Sequence, residues 1–274
     1  SFWIIAAMAG VLFTACENGD RDFPDFKYSA VYFAYQSPIR TITLGEDPSV
    51  DNSLDNEHKC QIMATIAGVY ENKKNVEIGI RVDNSLCDGY TFESTKGDIM
   101  PLPTSHYTLS DDKIVIKKGQ VLGGVTVNLT DAFFNDPKAT ELNYVIPVVM
   151  TGVQNADSIL EGKPSVDTPD RVNKEDWEVQ SKDYILYAVK YISKYDSHYL
   201  RRGVDTYTGN KTGTEVRHAA NVEKDETIGG FSTLGLNKVQ WERPTKDAAG
   251  KNVEANLILT FDESGNCVIT SNTE

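Results

Sequence analysis

The chain has 274 residues, of which 40% are hydrophobic and 24% charged, a balance typical of globular domains rather than of disordered or membrane-spanning chains. This length can hold two ordinary domains, each with its own core. Asp and Glu total 40 against 27 Lys and Arg, which gives a net charge of −13. Such a surface repels phosphate backbones and anionic lipids, so the composition argues against nucleic acid and favours a neutral ligand or another protein.

The start of the chain has the pattern of a secretory signal. An apolar run from Phe2 to Phe13 has about the length of a signal-peptide core and is shorter than the ~20 residues that a membrane-spanning helix needs. Thr14 and Ala15 then precede Cys16, which resembles the lipobox of bacterial lipoproteins, whose cysteine sulfur carries diacylglycerol. Phe13 stands where that pattern usually has Leu. The alternative is a cleaved secretory signal followed by an incidental cysteine.

From this pattern we expect residues 1–15 to be an incomplete signal peptide and residues 16–26 to be a lipidated linker. The acidic segment ENGDRD after Cys16 resembles the surface-export signals of lipoproteins in the Bacteroidota. The expected location is the outer membrane, with the body facing the cell exterior and the lipid anchor as its only contact with the membrane.

Beyond the linker, short β-rich runs alternate with turn-forming Gly, Asn, Asp and Pro. The segment 131–142 suggests a helical turn, which Pro137 should interrupt. The pattern predicts an all-β fold, with an immunoglobulin-like sandwich of two antiparallel sheets over residues 27–180. Strands of this domain are predicted at 28–35, 61–66, 76–82, 113–116 and 125–129.

A second antiparallel β domain, a sheet or a barrel, is predicted over residues 181–274. A crossing rich in Pro and charge at 161–177 precedes it, and the apolar run 184–192 predicts a central strand. A turn at 263–266 leads into a last strand at 267–270. Because that strand would leave a sheet edge exposed, we expect the natural protein to continue and this domain to be incomplete at its C-terminus.

Several long runs of the chain are specific enough to compare with known families: YQSPIRTITLGED at 35–47, DNSLDNEHKCQIMATIAGVYENKKNV at 51–76, GGVTVNLTDAFFNDP at 123–137, YVIPVVMTGVQNADSIL at 144–160, and DYILYAVKYI followed by YLRRGVDTYTG. These runs resemble a lipoprotein family of gut Bacteroidota. The resemblance implies an N-terminal immunoglobulin-like domain of unknown function, which also precedes some family-18 endo-β-N-acetylglucosaminidases, and a second β-rich domain of unknown function. Genes of this family tend to lie in polysaccharide-utilisation loci, so the resemblance implies glycan and outer-membrane importer proteins as partners.

The sequence carries no catalytic signature that would make it an enzyme. The DxxDxDxE pattern of family-18 glycosidases is missing, as are a GxSxG elbow, a Walker loop and an HExxH motif. Adjacent carboxylates such as Asp111-Asp112 are expected in solvated turns, not facing each other across a cleft. The oxygen-rich loop 45–58 lacks calcium-loop spacing and is predicted to be solvated. We expect no metal and no cofactor, since the four histidines are dispersed at 58, 106, 198 and 218.

Glycan binding needs aromatic faces beside groups that read hydroxyls. The richest stretch is YISKYDSHYLRRGVDTYTG, in which Tyr195, Tyr199 and Arg201 are the candidate binding residues. Trp241, next to Glu242 and Arg243, is a further candidate. For each aromatic residue the alternative is packing in a core or across strands.

Two cysteines and one serine are further candidate sites. Cys60 and Cys87 are equally spaced about Lys73-Lys74, so a hairpin turning there would set them opposite each other, within disulfide reach. The alternative is two separate, buried thiols. Asp157-Ser158-Ile159 resembles the O-glycosylation motif of secreted Bacteroidota proteins, which makes Ser158 a candidate modification site.

Three functions follow from these observations. The first is a non-catalytic surface lipoprotein that binds glycan for a neighbouring importer. The second is a fimbria-like structural or adhesive lipoprotein that works by strand addition at sheet edges. The third is an accessory part of a glycoside hydrolase, or an enzyme in its own right, which would need two carboxylates facing each other across a cleft.

Overall fold

A computed structural model describes residues 28–197, 199–200, 202–209, 212–217, 227–228, 231–246 and 249–271. Nearly all regular structure in these residues is β, which confirms the predicted all-β class. None of their helices is long and apolar enough to span a membrane. The helices are α1 (Ser53–Asn56), α2 (Asp131–Phe134) and the 3₁₀ turns Asn84–Cys87, Pro137–Thr140 and Lys174–Asp176.

The first part of the chain forms one large sheet of eleven strands, mostly antiparallel. Its strands are β1 (Ala30–Tyr32), β2 (Ile39–Thr43), β3 (Lys59–Ala67), β4 (Val76–Val82), β5 (Met100–Pro101), β6 (Tyr107–Leu109), β7 (Lys113–Ile116), β8 (Leu122–Leu129), β9 (Tyr144–Gln154), β10 (Ser158–Ile159) and β13 (Tyr184–Ile192). Their order across the sheet is β10-β1-β3-β8-β7-β4-β9-β13-β2, with β5 paired to β9 and β6 paired to β8.

This sheet curls over into two layers around a shared core. Strand alternation directs every second side chain inward, as on β4, where Val76, Ile78 and Ile80 are buried. Strands β7 and β8 meet through a single pair, Val115 with Gly124, and the sheet folds over at this point. Inward side chains from strands on both sides of the fold belong to one apolar cluster, as in a sandwich.

Strands β9 and β13 lie at the centre of the second layer and are buried on both faces. Their inner side chains join the main cluster, whereas Val145, Tyr184 and Leu186 form a second cluster on the outer face with residues of the 84–99 segment. The sequence places the run 184–192 in the second domain, and the structure corrects this, because β13 pairs with β9 and β2. The large sheet thus includes a strand beyond residue 180.

The rest of the chain forms small sheets. The principal one has four antiparallel strands in the order β18 (Phe231–Gly235), β19 (Lys238–Lys246), β20 (Asn252–Phe261) and β21 (Cys267–Ser271). The others are two-stranded: β11 (Lys163–Pro164) with β12 (Trp177–Val179), β14 (Tyr199–Leu200) with β17 (Thr227–Ile228), and β15 (Gly203–Tyr207) with β16 (Gly213–Arg217).

The structure shows no disulfide between Cys60 and Cys87, in agreement with the alternative of two separate thiols. Cys60 and Cys87 are free, buried thiols that lie in the two different apolar clusters. The hairpin that would join them does not exist, because β3 pairs with β1 and β8 while β4 pairs with β7 and β9. Burial raises the pKa of each thiol to about 11, so neither is primed as a nucleophile.

The loop 45–58, predicted to be solvated, contains a buried carboxylate. Asp55 on α1 is 2% exposed and pairs with Arg40. Its second oxygen accepts a hydrogen bond from the Thr43 backbone N–H at 2.9 Å. This ion pair fixes the loop to β2, as a buried carboxylate requires a partner.

Candidate functional site

The segment that leaves β13 is fastened to the four-stranded sheet by a short polar network. The Ser193 N–H donates to Thr233 Oγ1 at 2.9 Å, and its hydroxyl donates to the Leu236 carbonyl at 2.8 Å. Asp196 Oδ2 accepts from the Thr233 N–H at 3.1 Å and from its hydroxyl at 2.8 Å. Because Thr233 bonds to the segment on both sides, residues 193–196 hold the four-stranded sheet against the large one.

Two aromatic groups lie where this segment crosses the sheet. Tyr195 stacks on Phe261 with ring centroids 3.9 Å apart and planes at 6°. Tyr199 meets Phe231 edge-on at 5.0 Å, and Phe231 stacks on Trp241 at 5.7 Å. Trp241 pairs with Leu257 on β20, four residues before Phe261 on the same strand. Four strand residues span roughly 13 Å and return to the same face, so the two aromatic groups lie about that far apart on one face of the sheet.

The Tyr195–Phe261 pair lines an open cleft of about 350 Å³ between the two sheets, which we name the aromatic cleft. Its walls come from the loop after β2, from α1, and from the turns that flank β18 and β20. Its lining residues are Leu44, Gly45, Asn56, His58, Lys194, Tyr195, Leu236, Asn237, Phe261, Asp262 and Glu263.

Several polar groups of the aromatic cleft are held in place by the backbone around them. The Asn56 amide donates to the Gly45 carbonyl at 2.9 Å and accepts from the Gly45 N–H at 2.9 Å. The Asn237 amide donates to the Phe261 carbonyl at 2.8 Å. Hydrogen bonds from Asn266 lower the pKa of Asp262, which therefore stays ionised at neutral pH.

Other groups face the aromatic cleft with more freedom. The ammonium of exposed Lys194 lies 5.1 Å from the centroid of the Tyr195 ring. The His58 ring packs on Phe134 at 4.1 Å and lines the cleft from the opposite side. Glu263 is exposed beside Asp262. The cleft thus offers an aromatic surface together with donors and acceptors of both charges, the combination that recognises a hydroxylated ring.

The predicted binding residues separate in the structure. Tyr195 lies in the aromatic cleft, whereas Tyr199 and Trp241 belong to the second aromatic group and are joined there by Phe231. Arg201 lies outside the described residues, as do Cys16, His198 and His218. Ser158 is half-buried on the edge strand β10, where the neighbouring Asp157 carboxylate accepts from the Ser29 hydroxyl and N–H at 2.7 Å.

Sequence reasoning missed Phe261, Asn237 and His58 as lining residues. Phe261 ends a strand on which Leu257, Leu259 and Phe261 alternate on one face, a pattern that signals packing but not a partner. Its stacking partner Tyr195 lies 66 residues earlier in the segment after β13, so the spacing of residues within β20 could not predict the contact.

A serine, a histidine and an aspartate also come together on the large sheet. Ser105 Oγ is 3.0 Å from His106 Nδ1, and His106 Nε2 is 3.0 Å from Asp136 Oδ2. The same carboxylate oxygen accepts from the Tyr144 hydroxyl at 2.6 Å, and its other oxygen caps the 3₁₀ turn at the Lys138 N–H. This order of atoms resembles a hydrolase triad, but no lining residue of the aromatic cleft belongs to it. We therefore interpret it as the fastening of the 103–107 loop.

The carboxylates of the aromatic cleft do not face each other as glycosidase residues do. Asp262 and Glu263 are consecutive in one turn, and Asp262 is bonded within that turn. In the part of the chain that the structure describes, no three His, Cys, Asp or Glu side chains gather as metal ligands. The arrangement suits binding more than glycoside cleavage.

Comparison with known proteins places the chain in a family. One family model, described as an N-terminal domain, matches residues 26–157, and the domain of unknown function DUF5627 matches residues 194–274. A solved protein of unknown function from Bacteroides ovatus is 45% identical, with a TM-score of 0.85 over 90% of this chain and 79% of that chain. The chain belongs to the family of that protein.

More distant solved structures also match this chain. A multidomain protein including DUF1735 from Bacteroides ovatus has 12% identity and a TM-score of 0.44, over 90% of this chain and 72% of that chain. An auxiliary nutrient binding protein from Bacteroides thetaiotaomicron has 12% identity and a TM-score of 0.43, over 87% of this chain and 70% of that chain. At these scores the likeness carries nothing about function. No curated protein matches the chain.

Proposed function

We propose that the protein is a non-catalytic cell-surface lipoprotein that binds a neutral glycan in the aromatic cleft for an outer-membrane importer. The observation that carries the proposal is the stacked Tyr195–Phe261 pair in an open cleft with fixed amides. A pyranose presents apolar C–H faces and a rim of hydroxyls, which match an aromatic surface beside amide and carboxylate groups.

The charges of the aromatic cleft and of the chain favour an uncharged glycan. Asp262 and Glu263 outnumber the ammonium of Lys194 in the lining, and the chain has a net charge of −13. An acidic polysaccharide would be repelled at long range and would meet two carboxylates at the site. A neutral polysaccharide is neither repelled at long range nor opposed by these two carboxylates.

The lipid anchor is the second part of the proposal. It rests on the apolar run that ends in Thr14-Ala15-Cys16 and on the family's occurrence in Bacteroides. In this proposal diacylglycerol on Cys16 holds the body at the outer surface of the cell. Cys16→Ser should abolish incorporation of a labelled fatty acid into the protein in cells, and undiminished incorporation would contradict the anchor.

Affinity electrophoresis tests the aromatic cleft. The full chain is run through gels that contain soluble starch, galactomannan or arabinoxylan, with pectin as the acidic comparison. We expect at least one neutral polysaccharide to retard the protein and pectin to leave it unaffected. Tyr195→Ala and Phe261→Ala should each weaken the affinity about tenfold, the ~1.4 kcal/mol expected for losing a stacked ring.

Tyr35→Ala is the matched control, because Tyr35 is an exposed tyrosine (77%) outside the aromatic cleft. It should leave retardation unchanged. A wild-type chain that none of the three neutral polysaccharides retards would overturn the proposal. Equal retardation of folded Tyr195→Ala, Phe261→Ala and wild type would overturn the site.

One observation favours the structural alternative. Strand β21 lies at the edge of the four-stranded sheet in the described residues, and all five of its residues are exposed, including Val268 at 64% and Ile269 at 57%. An exposed apolar edge is a template for strand addition. Concentration-dependent oligomers in sedimentation analysis, abolished by Val268→Lys, would favour this function over glycan binding.

A further inference from the structure

A second cavity, distinct from the aromatic cleft, lies on the outer face of the large sheet. It encloses about 630 Å³ above strands β9 and β13, next to the second apolar cluster. We name it the outer pocket. Its lining residues are Ser37, Ile39, Tyr90, Thr91, Phe92, Glu93, Ser94, Ile99, Val145, Val172, Lys174, Leu186 and Ala188.

The first wall of the outer pocket is a tight hairpin over residues 90–99. The Phe92 N–H donates to the Gly97 carbonyl at 2.8 Å, and the Ile99 N–H donates to the Tyr90 carbonyl at 3.0 Å. Thr91 and Asp98 form a β-bridge between its arms. These bonds give the wall a defined shape without a ligand.

The second wall, residues 170–177, is bonded to the first. The Tyr90 hydroxyl donates to Asp170 Oδ2 at 2.7 Å, and the Trp177 indole N–H donates to the Asp170 carbonyl at 2.7 Å. Asp170 therefore links Tyr90 of the first wall to Trp177 of the second.

The chemistry of the lining defines the occupant. The floor is aliphatic, with Val145, Leu186 and Ala188 buried beneath the space. Around it lie the hydroxyls of Ser37, Thr91 and Ser94, each of which can donate and accept a hydrogen bond. One exposed acid, Glu93, and one exposed ammonium, Lys174, give the rim no net charge.

We propose that the outer pocket binds a small uncharged amphipathic molecule, an aryl ring that carries a polar substituent. The ring lies on the aliphatic floor, and its substituent meets the hydroxyls of the rim. Tyr90 and Phe92 of the first wall add aromatic surface beside this floor, against which an aryl ring can pack. The volume is in the range of small-molecule sites. The proposal does not depend on glycan binding by the aromatic cleft.

Titration with 1-aminoanthracene, an uncharged aryl amine whose fluorescence rises in apolar surroundings, tests the outer pocket. The full chain should give a saturable rise with one site per chain. Ala188→Leu fills the floor from β13, and Thr91→Leu fills the space from the exposed hairpin. Each should weaken binding at least tenfold, and Thr91→Leu keeps the test valid if Ala188→Leu fails to fold.

Two matched controls locate the probe. Ala34→Leu fills a smaller apolar pocket of about 270 Å³ beside Tyr35, and Tyr195→Ala alters the aromatic cleft. Both should bind the probe as the wild type does. The proposal is overturned if the wild type shows no saturable site, if Thr91→Leu binds unchanged, or if Ala34→Leu alone removes binding.

Discussion

The large sheet and the four-stranded sheet use aromatic residues in opposite ways. In the core of the large sheet, Phe133 and Phe134 of α2 and Tyr191 of β13 are fully enclosed and contact one another with ring centroids 5.1 to 5.8 Å apart. On the four-stranded sheet, Phe231 and Trp241 also pack ring to ring but remain half-exposed. Aromatic contacts alone therefore do not distinguish a core from a surface that can take a ligand.

The difference lies in what covers each sheet. The large sheet curls over its own inner face, so its aromatic residues are sealed by strands on both sides. The four-stranded sheet has only Val239 and Leu259 buried on its inner face in the described residues. Leu236, which directly follows β18, packs against the core of the large sheet. Within the part of the chain that the structure describes, Tyr195 and Tyr199 contact the rest of that face through Phe261 and Phe231, and the aromatic cleft lies beside Tyr195.

The largest expected difference is in stability. Phe133→Ala should lower the free energy of unfolding by about 3–5 kcal/mol, because it removes a fully buried ring from a sealed core. Phe231→Ala should lower it by about half as much or less, since its side chain is only partly buried. Chemical denaturation followed by circular dichroism measures both. Equal losses would show that the four-stranded sheet has a sealed core of its own.

The contact between the two sheets should be weaker than either core. Thr233→Val keeps the shape of the side chain but removes the hydroxyl that joins Ser193 to Asp196, at an expected cost of about 1–2 kcal/mol. Proteolysis within residues 193–200 should become faster than in the wild type. Thr233→Ser, which retains the hydroxyl, is the control and should be protected. Unchanged proteolysis of Thr233→Val would mean that apolar packing alone holds the sheets together.

The strands of the large sheet were readable from sequence because burial on one face leaves a local period. Strands β4 and β7 have the predicted bounds, 76–82 and 113–116, and α2 ends before Pro137, which begins the following 3₁₀ turn. The sequence could not predict which sheet contains β13. A strand that is buried on both faces has the same continuous apolar pattern in either domain, and its partner β2 lies about 150 residues earlier in the chain.

The candidate site was predictable only in part for a related reason. Tyr191, Tyr195 and Tyr199 recur every four residues in one stretch, yet the first is core, the second lines the aromatic cleft and the third packs on Phe231. Composition identified the stretch, since tyrosines near charges are what a glycan site needs. Which tyrosine reaches the cleft depends on Phe261, which no local pattern connects to Tyr195.

The smallest expected effect concerns acid and the Asp136 carboxylate, which holds His106 of the 103–107 loop. Burial alone would raise the pKa of Asp136, but hydrogen bonds from Tyr144, Lys138 and His106 outweigh burial and lower it below its ordinary value. The stabilisation is therefore fully present above that ordinary value, about pH 3.9, and is lost as the pH falls through the lowered one. Asp136→Asn should be less stable than wild type by about 1 kcal/mol at pH 7.

That difference should narrow below about pH 4, where the wild-type carboxylate takes up its proton and loses the same bonds. Denaturant midpoints of both proteins at pH 7, 5 and 3 measure it. Asp131→Asn, on an exposed position of the adjoining α2, is the matched control and should track the wild type at each pH. A gap between wild type and Asp136→Asn that stays constant from pH 7 to 3 would show that the carboxylate's charge contributes nothing. The 103–107 loop would then be held by neutral hydrogen bonds.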